Sequence, residues 1–239
     1  MTTRTQALDH GYVELVETWG SDERIIEAAR MSTAKGFQGW GPLSCEYCDR
    51  TGEVELYREG NYIGHQCPKC KGTKTLPGDE KLLRYLYEHK HMTPFEMAGM
   101  TIEVMAPILV FREWHRHRVP FGYNEMSARY VPLPGVNYRP TRERIIEGAK
   151  ASGNRQASGT TPLVVEAIDD WLKALDAAYA GIEQTYQTGL AIGIPKEVAR
   201  CILPVGRYSR MRATGNLRGG LAFLTLRMDK NAQWEIRQY

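Results

Sequence analysis

Four of the five cysteines in this 239-residue chain stand as two C-x-x-C pairs, Cys45/Cys48 and Cys67/Cys70, with eighteen residues between them. That spacing falls in the window for a four-thiolate zinc site. Zn2+ takes four soft donors in a tetrahedron at about 2.3 Å, and each C-x-x-C turn supplies two donors from one small loop. Four protein ligands leave no open position, so the expected role is structural. Gly52 and Gly72 follow soon after the second cysteine of each pair and let the backbone fold tightly around the sulfurs. His65, close to Cys67, is an alternative ligand. The constraint on folding is strong: residues 45–76 must close on themselves. They are expected to form an inserted zinc-ribbon-like module, with residues 1–44 and 77–239 making one larger domain around it. Cys201 stands alone in "VARCILP" and reads as a small buried hydrophobe.

The rest of the composition narrows the function classes. Hydrophobic residues make up 42% of the chain, enough to bury a core without staples. Net charge is only +3, so nothing pulls the whole molecule towards nucleic acid. No run approaches the roughly 18 apolar residues of a membrane span, and the first residues lack the apolar stretch of a leader. A cytoplasmic protein is expected, in which paired cysteines point to metal more than to disulfides.

Periodicity sketches the elements. "YVELVETWG" alternates as a strand, and "SDERIIEAARMS" starts a helix at Ser21, with acids in its first turn. "EVELY" and "YIGHQ" flank "REGN" as a hairpin. "DEKLLRYLYEHKH" is helical, "MTIEV" alternates, and "PILVFREWHRHR" reads as a helix whose last turn carries a His/Arg cluster. Residues 134–161 look loop-like. The longest helix should run from a Thr161 cap and Pro162 to a stop at Gly193. "YSRMRATGN" suits a strand, and the remaining C-terminal residues read as helix. Gly219 and Gly220 interrupt that helix at about 1 kcal/mol each, which suggests a close backbone approach to a ligand or another subunit.

The stretch from Glu113 to Tyr130, "EWHRHRVPFGYNEMSARY", concentrates both signs of charge beside aromatic rings. Forked guanidinium donors with a nearby hydroxyl suit phosphate recognition, and Tyr123 and Tyr130 offer stacking faces for a heteroaromatic ring. Further basic residues at 84, 112, 139, 142 and 144 are candidates to join them.

This stretch resembles the signature of the flavin-dependent thymidylate synthases, Arg-His-Arg, seven residues, then Ser, continuing as N-E-x-S-x-R-Y. The chain has "RHR" at 116–118 and "NEMSARY" at 124–130. "AARMS", "HMTPFE", "RQASG", "ARCILP", "NLR" and "LRMDKNAQWEI" resemble family segments in family order, across nearly the whole chain outside the cysteine module. The resemblance implies an α+β fold with a mixed α/β subunit, a homotetramer with FAD at subunit interfaces, and reductive methylation of dUMP to dTMP. Methylenetetrahydrofolate would donate the carbon and NADPH would reduce the flavin. Ser32, Thr93, Glu96, Arg116, His117, Arg118, Asn216 and Arg218 would bind FAD. Glu113, Arg116, Glu125, Ser127, Arg129, Arg200 and Arg227 would bind the nucleotide. Arg227 would favour the N3-ionised uracil, and Glu125 and His91 would join it in catalysis, although a stacked structural role fits His91 equally.

Departures from the family pattern bear on the substrate. Seven intervening residues would place the signature Ser at 126; Met126 stands there and Ser127 follows, with Gly122 a natural site for a bulge. Glu113 replaces a Gln that contacts nucleotide, and its carboxylate needs neutralising, with Arg112 and Arg129 as candidates. Met97, Ala222 and Asn231 also depart from the pattern. These changes leave room for a different substrate or product (dCMP, or hydroxymethylation) and for a flavin-binding relative without synthase activity. A zinc-ribbon nucleic-acid-binding protein is the rival from another class. Lys69, Lys71 and Lys74 favour it, but Glu46, Asp49, Glu53, Glu55 and Glu59 prevent a basic patch.

Overall fold

The structure, a computed structural model, describes residues 3–58, 61–150 and 162–239. The expected Thr161 cap, the "RQASG" segment and the Glu59–Gly60 hairpin tip lie outside the described residues. The strands are β1 (Arg4–Ala7), β2 (Gly11–Trp19), β3 (Leu43–Ser44), β4 (Glu53–Arg58), β5 (Asn61–Gln66), β6 (Thr75–Leu76), β7 (Gly99–Pro107), β8 (Gly122–Glu125) and β9 (Tyr208–Asn216). The helices are α1 (Asp22–Arg30), α2 (Glu80–Glu88), α3 (Ile108–Trp114), α4 (Arg142–Lys150), α5 (Ile168–Ala191), α6 (Lys196–Ala199), α7 (Leu217–Arg227) and α8 (Trp234–Arg237). This is an α+β fold. The chain divides into two compact units, one of residues 1–18 and 99–239, the other of residues 19–98.

The larger unit is built on a sheet of order β1-β2-β7-β9-β8. β7 and β9 pair antiparallel along their full length, from Gly99↔Asn216 to Pro107↔Tyr208. Alternation puts Val104, Ala106, Met211 and Ala213 on one buried face. Val110, Phe111 and Trp114 of α3, Phe223 of α7 and Ile236 of α8 cover that face. Trp114 and Phe223 lie with ring centroids 4.7 Å apart. The first orphan amides of α3 are satisfied across the fold, Ile108 N donating to Arg207 O and Leu109 N to Val205 O, each at 2.9 Å.

Buried charges in this unit are paired. Arg207, 1% exposed, donates to Glu183 and, at 3.0 Å, to Pro134 O. Glu235 accepts from Arg144 Nε at 2.8 Å and from the Tyr138 hydroxyl at 3.1 Å. Burial pushes its carboxyl up, but the Arg144 and Gln233 bonds outweigh that and hold it below the ordinary value.

In the smaller unit Ile25 and Ile26 of α1 are buried, and α1 packs on the 3-10 turn Thr93–Met97. Ser21 caps α1 as expected, accepting from Arg24 N. Asp79, buried, accepts from Arg30 and from Gln38 N. β3 pairs with β6 and β4 with β5, so the cysteine loops are closed by short ladders.

Several expectations need correcting. α3 stops at Trp114, so Arg116–Arg118 lie beyond the helix rather than in its last turn. Residues 142–150 form α4 instead of loop. α5 starts at Ile168, not Pro162, because Val165–Ala167 make a 3-10 turn first. Gly193, with φ +87°, does end it. The C-terminal helix breaks after Arg227 and resumes as α8. Cys201 is exposed. β8 pairs residue for residue with β9, so there is no bulge at Gly122, and the segment Val119–Phe121 is where an added residue fits.

Gly219 has a local explanation. A Cβ there would press into the Pro120 ring, with Cγ only 2.7 Å away, whereas one at Gly220 meets only Met100 Cε at 3.9 Å. The close approach at Gly219 is therefore to the chain's own Pro120. Gly219→Ala should destabilise despite a helix-propensity gain of about 1 kcal/mol, because overpacking costs about 1–3 kcal/mol. Gly220→Ala should be neutral or stabilising by up to about 1 kcal/mol. The urea-unfolding midpoint of Gly219→Ala should fall below the parent's, and that of Gly220→Ala should match or exceed it.

Candidate active site and cysteine centre

The long β7–β9 ladder fixes both ends of the signature stretch. Its outer partner β8 carries Tyr123, Asn124 and Glu125, and Met126 N continues the ladder by donating to Arg210 O at 2.8 Å. The chain then turns through Ser127, whose Oγ accepts from Arg129 N at 3.3 Å. This turn opens a cleft of about 340 Å³ lined by Ile108, Glu125, Met126, Ser127, Ala128, Leu133, Arg200 and Leu203. A carboxylate, a hydroxyl and a guanidinium thus meet over an apolar floor. Glu125, Ser127 and Arg200 were expected at one site, and the fold brings them together. The apolar floor was not foreseen, since nothing in local periodicity distinguishes Ile108, Leu133 and Leu203 from ordinary core.

A second cluster forms where α7 ends against α3. Arg227 Nη1 donates to Glu113 Oε2, Nη2 to Glu113 O at 3.0 Å, and Nε to His117 Nε2 at 2.8 Å. Arg227 thus neutralises the Glu113 carboxylate, in place of the Arg112 or Arg129 expected there. The guanidinium also caps a C-terminal carbonyl of α3, where a cation is favoured by the helix dipole. His117 packs edge-on against Phe223 at 4.8 Å. Burial lowers its pKa below the ordinary 6.5, and the Arg227 charge lowers it further against the opposing pull of Glu113. The imidazole therefore accepts from Arg227 as a neutral ring.

Tyr123 was expected to offer a stacking face, but it is an anchor. Its hydroxyl donates to His117 O at 2.7 Å and to Trp114 O at 3.1 Å, and its ring stacks on Phe121. Burial pushes the phenol up to about 12, so it remains a donor. Tyr130 is exposed and lies under the Arg129 guanidinium at 5.2 Å. Arg116 and Arg118 are exposed on the turn after α3. Asn216 caps α7, its side chain accepting from Gly219 N at 3.0 Å, and Arg218 is exposed in the first turn. Three of the supposed anion-site residues are spent elsewhere: Arg139 pairs with Asp176, Arg142 with Asp169 and Arg144 with Glu235. Arg84 lies in the smaller unit.

The smaller unit holds the other expected residues. Thr93 and Glu96 sit on the turn that packs on α1; Ser32 is exposed just past α1, its Oγ 3.4 Å from Ala29 O. His91 is exposed, edge-on to Tyr85 at 5.8 Å.

The four cysteines are buried, and their sulfurs lie within 4.8 Å of one another. Cys45 Sγ and Cys67 Sγ are 3.8 Å apart, and Cys48 Sγ and Cys70 Sγ 3.7 Å. A tetrahedron of thiolates about 2.3 Å from a metal separates its sulfurs by about 3.8 Å, whereas a disulfide requires about 2.05 Å. The donor set is therefore compatible with a metal ion. The two knuckles are built alike. Cys45 N donates to Lys74 O and Cys67 N to Gly52 O, while Thr51 and Thr73 hydroxyls donate to the carbonyls of Cys48 and Cys70. Gly52 N donates to Cys48 Sγ at 3.3 Å. His65, exposed on β5, is not part of the cluster among the described residues.

The family model for thymidylate synthase complementing protein, Thy1, matches residues 14–239. A flavin-dependent thymidylate synthase of Thermosipho melanesiensis is 33% identical over 239 residues, spanning 98% of this chain and 84% of the relative. One from Streptomyces coelicolor is 37% identical over 215 residues, spanning 90% and 74%. Among solved structures, a UMP/dUMP methylase, PolB of Streptomyces cacaoi bound with 5-Br dUMP, superposes with a TM-score of 0.68 at 29% identity, covering 98% of this chain and 87% of that one.

Two outcomes test these sites. Metal analysis should find one ion per chain and almost none in Cys45→Ser, with thermal stability reduced in the variant. For His117, a lowered folded pKa means that folding favours the neutral ring. Its contribution is complete above pH 6.5 and is lost as pH falls from 6.5 towards the depressed value. The Tm difference between wild type and His117→Gln should therefore be widest above pH 6.5 and narrow on acidification.

Proposed function

Because the chain belongs to the thymidylate synthase complementing protein family, the flavin-dependent thymidylate synthases, we propose that it methylates C5 of dUMP to give dTMP. It is a methyltransferase-type enzyme with one-carbon transfer to a uridine nucleotide as its chemistry. Methylenetetrahydrofolate is the carbon donor and NADPH the reductant in this reading. The observation that carries it is the cleft in which Glu125, Ser127 and Arg200 converge. A guanidinium and a hydroxyl suit a phosphate, and the apolar floor of Ile108, Leu133 and Leu203 suits the sugar. Arg129, exposed beside Ser127, extends the phosphate contacts.

FAD fits the donor set beyond the cleft. Arg116 and Arg118 are exposed forks suited to its pyrophosphate, and Asn216, Arg218 and His117 would hold it with them. Bound there, the flavin supplies hydride chemistry. Arg227 orients the pyrimidine, with Glu125 holding the nucleotide. The expected homotetramer is supported by apolar surface left uncovered on the larger unit: Trp171, Ile192, Val198 and Val205 are all more than half exposed. Zinc is the metal proposed for the cysteines, with a structural role, in a module inserted at 45–76.

A second reading, cytosine as the base, is favoured by one observation. The joined Glu113 and Arg227 side chains present an acceptor beside a donor, which matches the amine and N3 of cytosine as well as the imide of uracil. Mass spectrometry of products from holoenzyme, methylenetetrahydrofolate, NADPH and a mixture of dUMP, UMP and dCMP decides. A methyl added to dUMP alone is the expected result; methylated dCMP or a hydroxymethyl product overturns it. Arg227→Lys should reduce turnover by about 100-fold with FAD still bound.

A further inference from the structure

The Arg227 guanidinium does not stand alone at the site. Three of its five N–H groups are engaged, by Glu113 Oε2, Glu113 O and His117 Nε2, which leaves one N–H on each Nη. Glu113 Oε1 takes no other hydrogen bond among the described residues. Both side chains keep an accessible edge, 17% for Arg227 and 34% for Glu113. The titratable groups bonded to this guanidinium are Glu113 at the end of α3 and His117 in the turn behind it; α7 itself adds no other bonded charge among the described residues. His117 is held neutral, so the cluster consists of one cation and one anion in contact.

A lone guanidinium beside a uracil ring stabilises the N3-deprotonated anion. A guanidinium already paired with a carboxylate does so far less, because the adjacent negative charge offsets much of its field at the ring. The neutral imide presents N3–H as a donor between two carbonyl acceptors. A free carboxylate oxygen and spare guanidinium N–H groups complement that pattern, whereas the anion offers only acceptors and meets the carboxylate with like charge. We propose that Glu113 is a specificity-determining residue that makes the site select the neutral pyrimidine ring over its N3-deprotonated form, by compensating Arg227. This rests on the reading above that Arg227 faces the base.

The test is equilibrium binding of 5-bromo-dUMP and dUMP to FAD-loaded holoenzyme from neutral to mildly alkaline pH. Bromine withdraws electrons, so N3 of the analogue ionises in this range while that of dUMP ionises at higher pH. His117 stays neutral throughout. In the wild type, affinity for 5-bromo-dUMP relative to dUMP should weaken as pH rises. In Glu113→Gln it should strengthen, separating the two profiles by about tenfold. Glu113→Asp, which keeps the carboxylate, should follow the wild type. Parallel profiles for wild type and Glu113→Gln overturn the inference, as does a wild type that binds the analogue more tightly with rising pH. If Glu113→Gln does not fold, that wild-type profile decides alone. Arg227→Gln separates the two levels. If it weakens binding of both nucleotides while Glu113→Gln parallels wild type, only the role of Glu113 fails. If it leaves both affinities unchanged, Arg227 does not face the base and the reading of the site fails with it.

Discussion

One guanidinium joins two segments more than a hundred residues apart. Arg227, in the last turn of α7, reaches the final turn of α3 and binds a carboxylate, a backbone carbonyl and an imidazole there. The contact does three things. It caps α3, whose last carbonyls lack helical partners. It fixes the ring of His117, in the middle of the Arg-His-Arg signature. It also sets the net charge of the cluster close to neutral. Removing the Glu113 carboxylate would leave a partly buried cation with only two neutral acceptors, the Glu113 carbonyl and the His117 ring, and no counter-charge.

Around this contact the larger unit is a scaffold of paired charges and one packed face. β7 and β9 hold Val104, Ala106, Met211 and Ala213 against α3 and α7, so the helices that carry Glu113 and Arg227 share a core. Phe121 and Pro120 fill the space that Gly215 and Gly219 leave open. That wedge ties the segment after the signature to the start of α7, where Asn216 is the cap. Polar residues outside the cleft, such as Arg144 with Glu235 and Arg207 with Glu183, are committed to structure. Glu125, Ser127 and Arg200 instead line the cleft.

Much of the architecture could be read from local pattern. Alternation identified β2 and the centre of β7, Ser21 marked the start of α1, and Gly193 the end of α5. The cysteine spacing anticipated a cluster whose sulfur separations match a tetrahedron. Failures occurred where local rules compete. "PILVFREWHRHR" continues a helical period, yet α3 stops at Trp114, where Arg227 and Tyr123 take the terminal carbonyls. Pro162 looked like a first helical residue, but a 3-10 turn intervenes before Ile168. Cys201 sat beside apolar neighbours in sequence and is nonetheless exposed.

The sequence by itself determined which residues are chemically able to serve: the four paired cysteines, the Arg-His-Arg turn, and the carboxylate, hydroxyl and guanidinium of the cleft. It did so because short-range spacing is set by bond geometry and survives any packing of the rest. Only the tertiary structure decided who pairs with whom. Arg139, Arg142 and Arg144 look equivalent in sequence to the site arginines, yet each faces an acid on a distant segment. Glu113 finds Arg227 rather than Arg112 beside it, because α3 points Arg112 to solvent and α7 brings Arg227 across the core. Partner choice among like charges depends on long-range burial and orientation, and no window of the sequence contains that information.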